Sequence, residues 1–199
     1  MITNSKQTVK FLEEAQEDIH SGDLLLLRNR TRPSNIFIRV FGRTKYVHVG
    51  TAYWENVELR CLDTVPWAGA RNTSFSDLVK KYPNQWDVFE PLIAVAEAHG
   101  STYDPEVTCK VMKEFVGKPY GWFNILLVSF LHFPFIRLFV KPATNDAVIS
   151  KYPPFCSQAR AIADRKAGLD PVKFLADHVT EPGDLSRSLL YKYKFTLSG

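Results

Sequence analysis

The stretch from Tyr46 to Val65 limits this chain more than any other. Tyr46 to Trp54 alternates and is rich in aromatic and β-branched residues. Asn56-Val57 supplies a turn, and Glu58 to Val65 reads as the returning partner. Alternation puts successive side chains on opposite faces, so the stretch reads as an antiparallel hairpin rather than a helix. Whatever else the chain does, it must build a sheet around this hairpin.

The flanking segments extend that sheet and cover it. Leu24-Leu25-Leu26-Leu27 is a short apolar run set off by the break Ser21-Gly22-Asp23, which is the pattern of a buried strand. Trp86 to Glu90 and Leu189 to Phe195 read as further strands. Residues 4–19 read as an amphipathic helix capped by Asn4 or Ser5, with Val9, Leu12, Ala15, Gln16 and Ile19 near one face. Asn35 to Phe41 reads as a short helix, and Phe75 to Tyr82 as one capped by Ser74. In Glu106 to Val116, residues Val107, Val111, Met112 and Phe115 share a face and Gly117 stops the helix. Residues 156–166 form the last strong helical stretch, set up by Pro153-Pro154. Glu181-Pro182-Gly183-Asp184-Leu185 reads as a turn. A helix, then strands, then helices is the order of an α+β fold on one antiparallel sheet.

At 199 residues the chain suits one domain, 1–199, with a real core. The formal charge of +4 is spread along the chain, and Lys80-Lys81 and Lys192/Lys194 are only short clusters. No basic stripe for nucleic acid is present, and a solvated surface is the expectation. Cys61, Cys109 and Cys156 are odd in number and far apart, which argues against both a disulfide framework and a structural zinc site. No metal or organic cofactor is expected. Met1 to Ile19 has no apolar core of a secretory signal, so the expected location is cytoplasmic.

Trp122 to Val140 is the most apolar part, about as long as a membrane span of ~20 residues. Asn124, Ser129, His132, Pro134 and Arg137 interrupt it, so a buried helix or an apolar wall beside a site is the expectation. A surface-exposed, lipid-facing element is the alternative, and it would make the protein membrane-peripheral. With the polar loop that follows, this apolar stretch fills an insertion at 122–154, just as the N-terminal helix fills 1–20.

The chemistry rests on few residues. Cys156 sits in the first turn of its helix, where unpaired N–H groups and the macrodipole favour a thiolate. The same N–H groups suit a developing oxyanion. The competing reading is a small core cysteine. His48 lies on a strand between Val47 and Val49, with Gly50 leaving room beside the ring. Alternation puts it on one face with Tyr46 and Gly50. A structural histidine is the competing reading. A catalytic imidazole needs a partner that fixes its tautomer. Asp63, on the returning strand, is the candidate, with Glu55 and Glu58 as weaker ones and a strand-end carboxylate as the equal alternative.

Taken in order, these segments resemble the permuted NlpC/P60 group of papain-like proteins, the YiiX/YaeF-like amidases. Gly22-Asp23-Leu24-Leu25-Leu26 is similar to that family's opening strand, and Tyr46-Val47-His48-Val49-Gly50 to its S-H-V-G strand. Gly117-Lys118-Pro119-Tyr120-Gly121-Trp122 is similar to its G-K-x-Y-D-W segment, and Phe155-Cys156-Ser157-Gln158 to its F-C-S-E helix. Glu181 to Leu185 is similar to its late P-x-D-L turn. The resemblance spans residues 20–186, with histidine before cysteine as in the permuted group. It implies a circularly permuted papain-like fold, with a central antiparallel sheet flanked by helices.

For function it implies a thiol hydrolase with Cys156 as nucleophile, His48 as base and Asp63 in the third polar position. The substrates it implies are peptide or lipid amides or esters, small molecules included, with Tyr46, Tyr120 and Trp122 at the substrate. Val47, Gly121 and Gln158 depart from the family's Ser, Asp and Glu and leave the substrate type open. A non-catalytic lipid-binding module on the same fold is the alternative.

Overall fold

Asn56 turns the central hairpin with a φ of 56°, a left-handed conformation that asparagine tolerates better than most residues. On either side run β3 (His48–Glu55) and β4 (Glu58–Val65), antiparallel, with Gly50 opposite Asp63 and Ala52 opposite Cys61. The expected hairpin is therefore present, with its first strand starting at His48 rather than Tyr46. The computed structural model describes residues 8–28, 44–98, 100, 102–122, 153–173 and 175–198. The expected helix at 35–41, the apolar stretch beyond Trp122 and nearly all of the 141–154 loop lie outside the described residues.

Around the hairpin the chain runs through β1 (Val9–Phe11), α1 (Leu12–Ala15), a 3-10 turn (Gln16–Asp18) and β2 (Leu24–Leu27) before β3. After β4 come β5 (Gly69–Ser74), α2 (Phe75–Lys81), β6 (Trp86–Pro91), α3 (Ile93–Ala98) and α4 (Pro105–Phe115). The C-terminal part holds α5 (Cys156–Lys166), a 3-10 turn (Asp177–Val179), α6 (Pro182–Arg187) and β7 (Tyr191–Ser198). Among the described residues the strands form one seven-stranded sheet in the order β1-β7-β6-β2-β3-β4-β5.

Two expectations are corrected. The sheet is mixed, because β1 pairs parallel to β7, while the other neighbouring pairs are antiparallel. Of the N-terminal helix expected over 4–19, residues 4–7 lie outside the described residues, and over 8–19 the helix is limited to Leu12–Ala15 and a 3-10 turn. Val9 to Phe11 instead pair with Thr196 to Ser198 on the open edge of β7. Docking onto an unpaired strand edge satisfies backbone groups that water would otherwise serve, and it outweighs the weak helical period of the segment.

The four leucines of β2 are all buried, and they alternate between two cores. Leu25 and Leu27 join Phe75, Trp86 and Val88 under α1 and α2. Leu24 and Leu26 join Val49, Phe89, Leu185 and Cys156 on the other side. Burying each such side chain contributes roughly 1.5–3 kcal/mol. That a continuous apolar run forms a strand covered on both faces follows directly. Pro105 opens α4, Asp104 caps it by accepting from the Glu106 amide at 2.9 Å, and the chain turns away at Gly117, φ 85°. The expected turn at 181–185 is the start of α6, closed by a reciprocal Glu181/Asp184 capping box. Among the described residues, no helix is long and apolar enough to cross a membrane.

Candidate active site

His48 opens β3 two residues before Gly50, so its ring falls on the face that Gly50 shares with Asp63. There His48 Nε2 and Asp63 Oδ2 are 2.8 Å apart. A side chain at Gly50 would not fit, since its Cβ would lie 2.4 Å from Cys61 Sγ. The glycine thus lets β3 and β4 lie together beside the imidazole. His48 also packs edge-on to Trp86 at 6.4 Å between ring centroids. Trp86 belongs to one core and Cys156 to the other. His48 lies between the two, close enough to Cys156 for the charge and hydrogen-bonding capacity of that sulfur to act on its imidazole. With Nε2 on Asp63, Nδ1 is the nitrogen left for the sulfur.

Asp63 is held from two sides. Arg71, on β5, donates from Nε to Oδ1 at 2.7 Å and from Nη2 to Oδ2 at 3.0 Å. The side chain of Asp63 is wholly buried, while a third of that of Arg71 reaches solvent. Burial alone would push the Asp63 carboxyl up; the bonds from His48 and Arg71 outweigh it and hold the carboxyl below its usual range. Burial likewise disfavours charge on His48. The charge and hydrogen bond of Cys156, together with those of Asp63, outweigh it and raise the imidazole to about 10.

Cys156 takes its place because Pro153 and Pro154 deliver an extended Phe155 (φ −86°, ψ 176°) to the start of α5. Phe155, at the N-cap position, makes no side-chain cap hydrogen bond at this end. Ser157 Oγ donates to the Thr180 carbonyl at 2.8 Å and pins the first turn. The other two thiols differ. Cys61 is buried beside Asp63, and burial pushes its thiol well up. Burial also raises Cys109, to about 12, and its sulfur donates to the Ala52 carbonyl at 3.6 Å.

Of the residues expected at the substrate, Tyr120 borders Cys156: burial and the charge of that sulfur both push its phenol upward. Tyr120 stacks edge-on with Trp122 at 5.2 Å, and Trp122 meets Trp67 at 4.9 Å. Trp67 is 90% exposed at the left-handed tip of the β4–β5 turn. Tyr46 is buried, and its hydroxyl donates to Asp87 Oδ2 at 2.7 Å. Substrate contact through that hydroxyl would have to break this bond. Glu55 and Glu58, the weaker candidates for the third position, both pair with Arg60 instead.

Sequence reasoning missed Arg71 and Arg160. Arg160 is fully buried one turn after Cys156, with Nη1 on Thr51 Oγ1 at 2.9 Å, Nη2 on the Gly22 carbonyl at 2.8 Å and Nε on Asp164 Oδ2 at 2.9 Å. Tyr103 donates to Asp164 Oδ1 at 2.9 Å, and Tyr191 also donates to Asp164. No local pattern in the sequence marks either arginine as a residue that faces inward or toward the site.

No family model and no curated protein matches the chain significantly. Among solved structures it matches the crystal structure of the metalloprotein YiiX from Escherichia coli O157:H7, DUF1105, with a TM-score of 0.60. The match is 12% identical and covers 89% of this chain and 97% of that one. The chain has a YiiX-like fold. Among the described residues here, no group of three or more His, Cys, Asp or Glu is arranged to hold a metal ion. Both Asp63 oxygens accept from Arg71, and one also meets His48 Nε2, so the His48–Asp63 pair does not present a free donor set. The metal in that protein's name therefore has no fitting counterpart at these residues.

Proposed function

We propose that the protein is a cysteine hydrolase on a permuted papain-like, NlpC/P60-type fold, one domain over residues 1–199, acting on amide or ester bonds. The observation that carries this reading is His48, bound through Nε2 to Asp63 at 2.8 Å and near enough to Cys156 for that sulfur to raise its proton affinity. A nucleophile, a base and a group that fixes the base's tautomer are the parts acyl transfer needs.

In this reading His48 takes the thiol proton on Nδ1, and the Cys156 sulfur attacks the substrate carbonyl carbon. The oxyanion forms beside the amides at the start of α5. The imidazolium then gives its proton to the leaving amine or alcohol as the carbon–nitrogen or carbon–oxygen bond breaks, leaving an acyl-thioester. Water, deprotonated by His48, attacks that thioester; the acid departs and the thiol regains its proton. Tyr120 and Trp122 form the wall that receives the acyl part of a small-molecule, peptide or lipid substrate, and Tyr46 contacts the substrate with its ring while its hydroxyl stays on Asp87.

The test is the rate of thiol alkylation against pH, resolved for each cysteine by mass spectrometry, in the wild type and in His48→Ala. Cys156 is expected to react faster than Cys61 and Cys109, and to slow by ~10²-fold without the imidazole, within the usual range for base assistance. Equal rates in the two proteins would sink the reading.

One observation favours a second reading, a lipid-binding module without catalysis: Trp67, 90% exposed, lies against Trp122 with the two rings tilted. Such aromatics suit a lipid–water interface. Co-sedimentation with anionic vesicles that survives Cys156→Ala but is lost in Trp67→Ala supports it. No binding to any anionic vesicle removes it.

A further inference from the structure

We propose that Arg71 is a positioning residue of this site: it aims Asp63 at His48 and offsets its charge, so that the imidazole can give its proton back. The proposal deepens the hydrolase reading, and its first readout is independent of catalysis.

Nothing in a sheet edge requires this arginine. It sits on β5 directly opposite Asp63 in the strand register and makes a two-pronged bond to both carboxylate oxygens, at 2.7 and 3.0 Å. Planar guanidinium and carboxylate groups joined this way fix each other's orientation as well as adding energy. The fork holds Asp63 Oδ2 where it also meets His48 Nε2 at 2.8 Å. Without the fork, a wholly buried carboxylate would lean on the imidazole alone.

The electrostatic consequence has a definite sign. Removing a nearby cation disfavours the net-negative state that the His48–Asp63 pair enters when it loses its proton. The pair would then hold that proton to higher pH, and a base that holds its proton is a poor acid toward a leaving group. The charged and titratable groups around the pair are Arg71 on β5, Cys61 on β4 and Cys156 on α5. Beyond them, Tyr82 acts on Arg71 from the end of α2, and Tyr120 lies by Cys156.

The experiment follows the His48 imidazole by NMR against pH in the wild type, Arg71→Gln and Arg71→Lys, each checked for fold by circular dichroism. The expected result is an upward move of the titration by ~1 pH unit in Arg71→Gln, the lower end of what a neighbouring charge does, and little move in Arg71→Lys, which keeps the charge. Adding Arg71→Gln to Asp63→Asn should move it no further, since the effect passes through the carboxylate. An unchanged or lowered titration in Arg71→Gln overturns the proposal. So does an equal shift in Arg71→Lys, or a full shift in the Asp63→Asn background. If Arg71→Gln does not fold, Arg71→Lys decides: a titration that stays in place upholds the proposal, and an upward move of about a unit overturns it. Loss of the hydrolase reading, by full activity of Cys156→Ala on a substrate found for the wild type, would leave each of these outcomes readable.

Discussion

Arg160 Nη1 donates to Thr51 Oγ1 across 2.9 Å, tying the helix that begins at Cys156 to the strand that begins at His48. Both residues are fully buried, and the same guanidinium also holds the Gly22 carbonyl and Asp164. A buried polar network one turn below Cys156 thus ties α5 to β3.

Arg160→Met removes the cation and leaves Asp164 buried without its ion partner. Breaking a buried pair in this way costs about 3–5 kcal/mol. The urea midpoint should fall by a corresponding amount. Thr51→Val removes one acceptor at nearly constant volume and should cost only ~1 kcal/mol, while slowing Cys156 alkylation. A Thr51→Val protein with wild-type alkylation would show that the network supports the fold and not the site.

Gly121 stands where the resembling family has Asp, and the structure gives a reason. A Cβ at this position would lie 2.2 Å from the Pro153 carbonyl oxygen and 2.9 Å from the Phe155 nitrogen. Both belong to the backbone that leads into Cys156, so neither can yield without moving the start of α5. Gly121→Ala should destabilise by ~1–3 kcal/mol, as overpacking does, and Gly121→Asp by more. Thermal melts of the two variants check this, and wild-type melting of Gly121→Asp would refute it.

The site also predicts how stability depends on pH. Asp63, held below its usual range, stabilises the fold above the unfolded carboxyl value of about 3.9 and loses that contribution as pH falls through its folded value. His48, raised to about 10, contributes fully below the unfolded imidazole value of about 6.5. That contribution is lost as pH rises from there through 10. The urea midpoint should therefore decline on the alkaline side, and His48→Gln should flatten that limb. An unchanged alkaline limb in His48→Gln would mean the imidazole carries no excess proton affinity in the folded state.

What the sequence disclosed and what it hid have physical causes. The β3–β4 hairpin, β2, β6 and α4 were legible because burial imposes a period or a continuous apolar run on them, and α5 because of helix propensity behind a Pro-Pro pair. Cys156, His48 and Asp63 were legible as residue types in an order, and the structure brings them together. Strand β5 was not legible: Gly69-Ala70-Arg71-Asn72-Thr73-Ser74 has no apolar alternation, because among the described residues it is the last strand of the sheet and its residues past Ala70 are only half-buried. Missing β5 meant missing Arg71. Strand β1 was hidden by a helical period that a tertiary pairing overrode. Arg160 was hidden because no local pattern announces that a charged helix residue faces inward.

The sharpest test of the His48–Asp63 pair is Asp63→Asn. The carboxamide keeps the shape of the carboxylate but carries an acceptor on one side and a donor on the other. Arg71 can only donate, so it should claim the amide oxygen and turn the NH₂ group toward His48 Nε2. That nitrogen must then accept, which places the imidazole proton on Nδ1, the atom left for Cys156. An Nδ1 that already bears a proton cannot take the one on the thiol, so the variant holds the ring in the wrong tautomer. Cys156 alkylation in Asp63→Asn should drop toward the His48→Ala rate, ~10²-fold within the usual span for base assistance, while circular dichroism stays unchanged. Asp63→Glu cannot reproduce both the fork and the bond to the ring at one geometry and should recover only part of the rate. Wild-type alkylation in Asp63→Asn would mean that His48 acts on Cys156 without help from Asp63, and the carboxylate would then be a strand-end partner of Arg71.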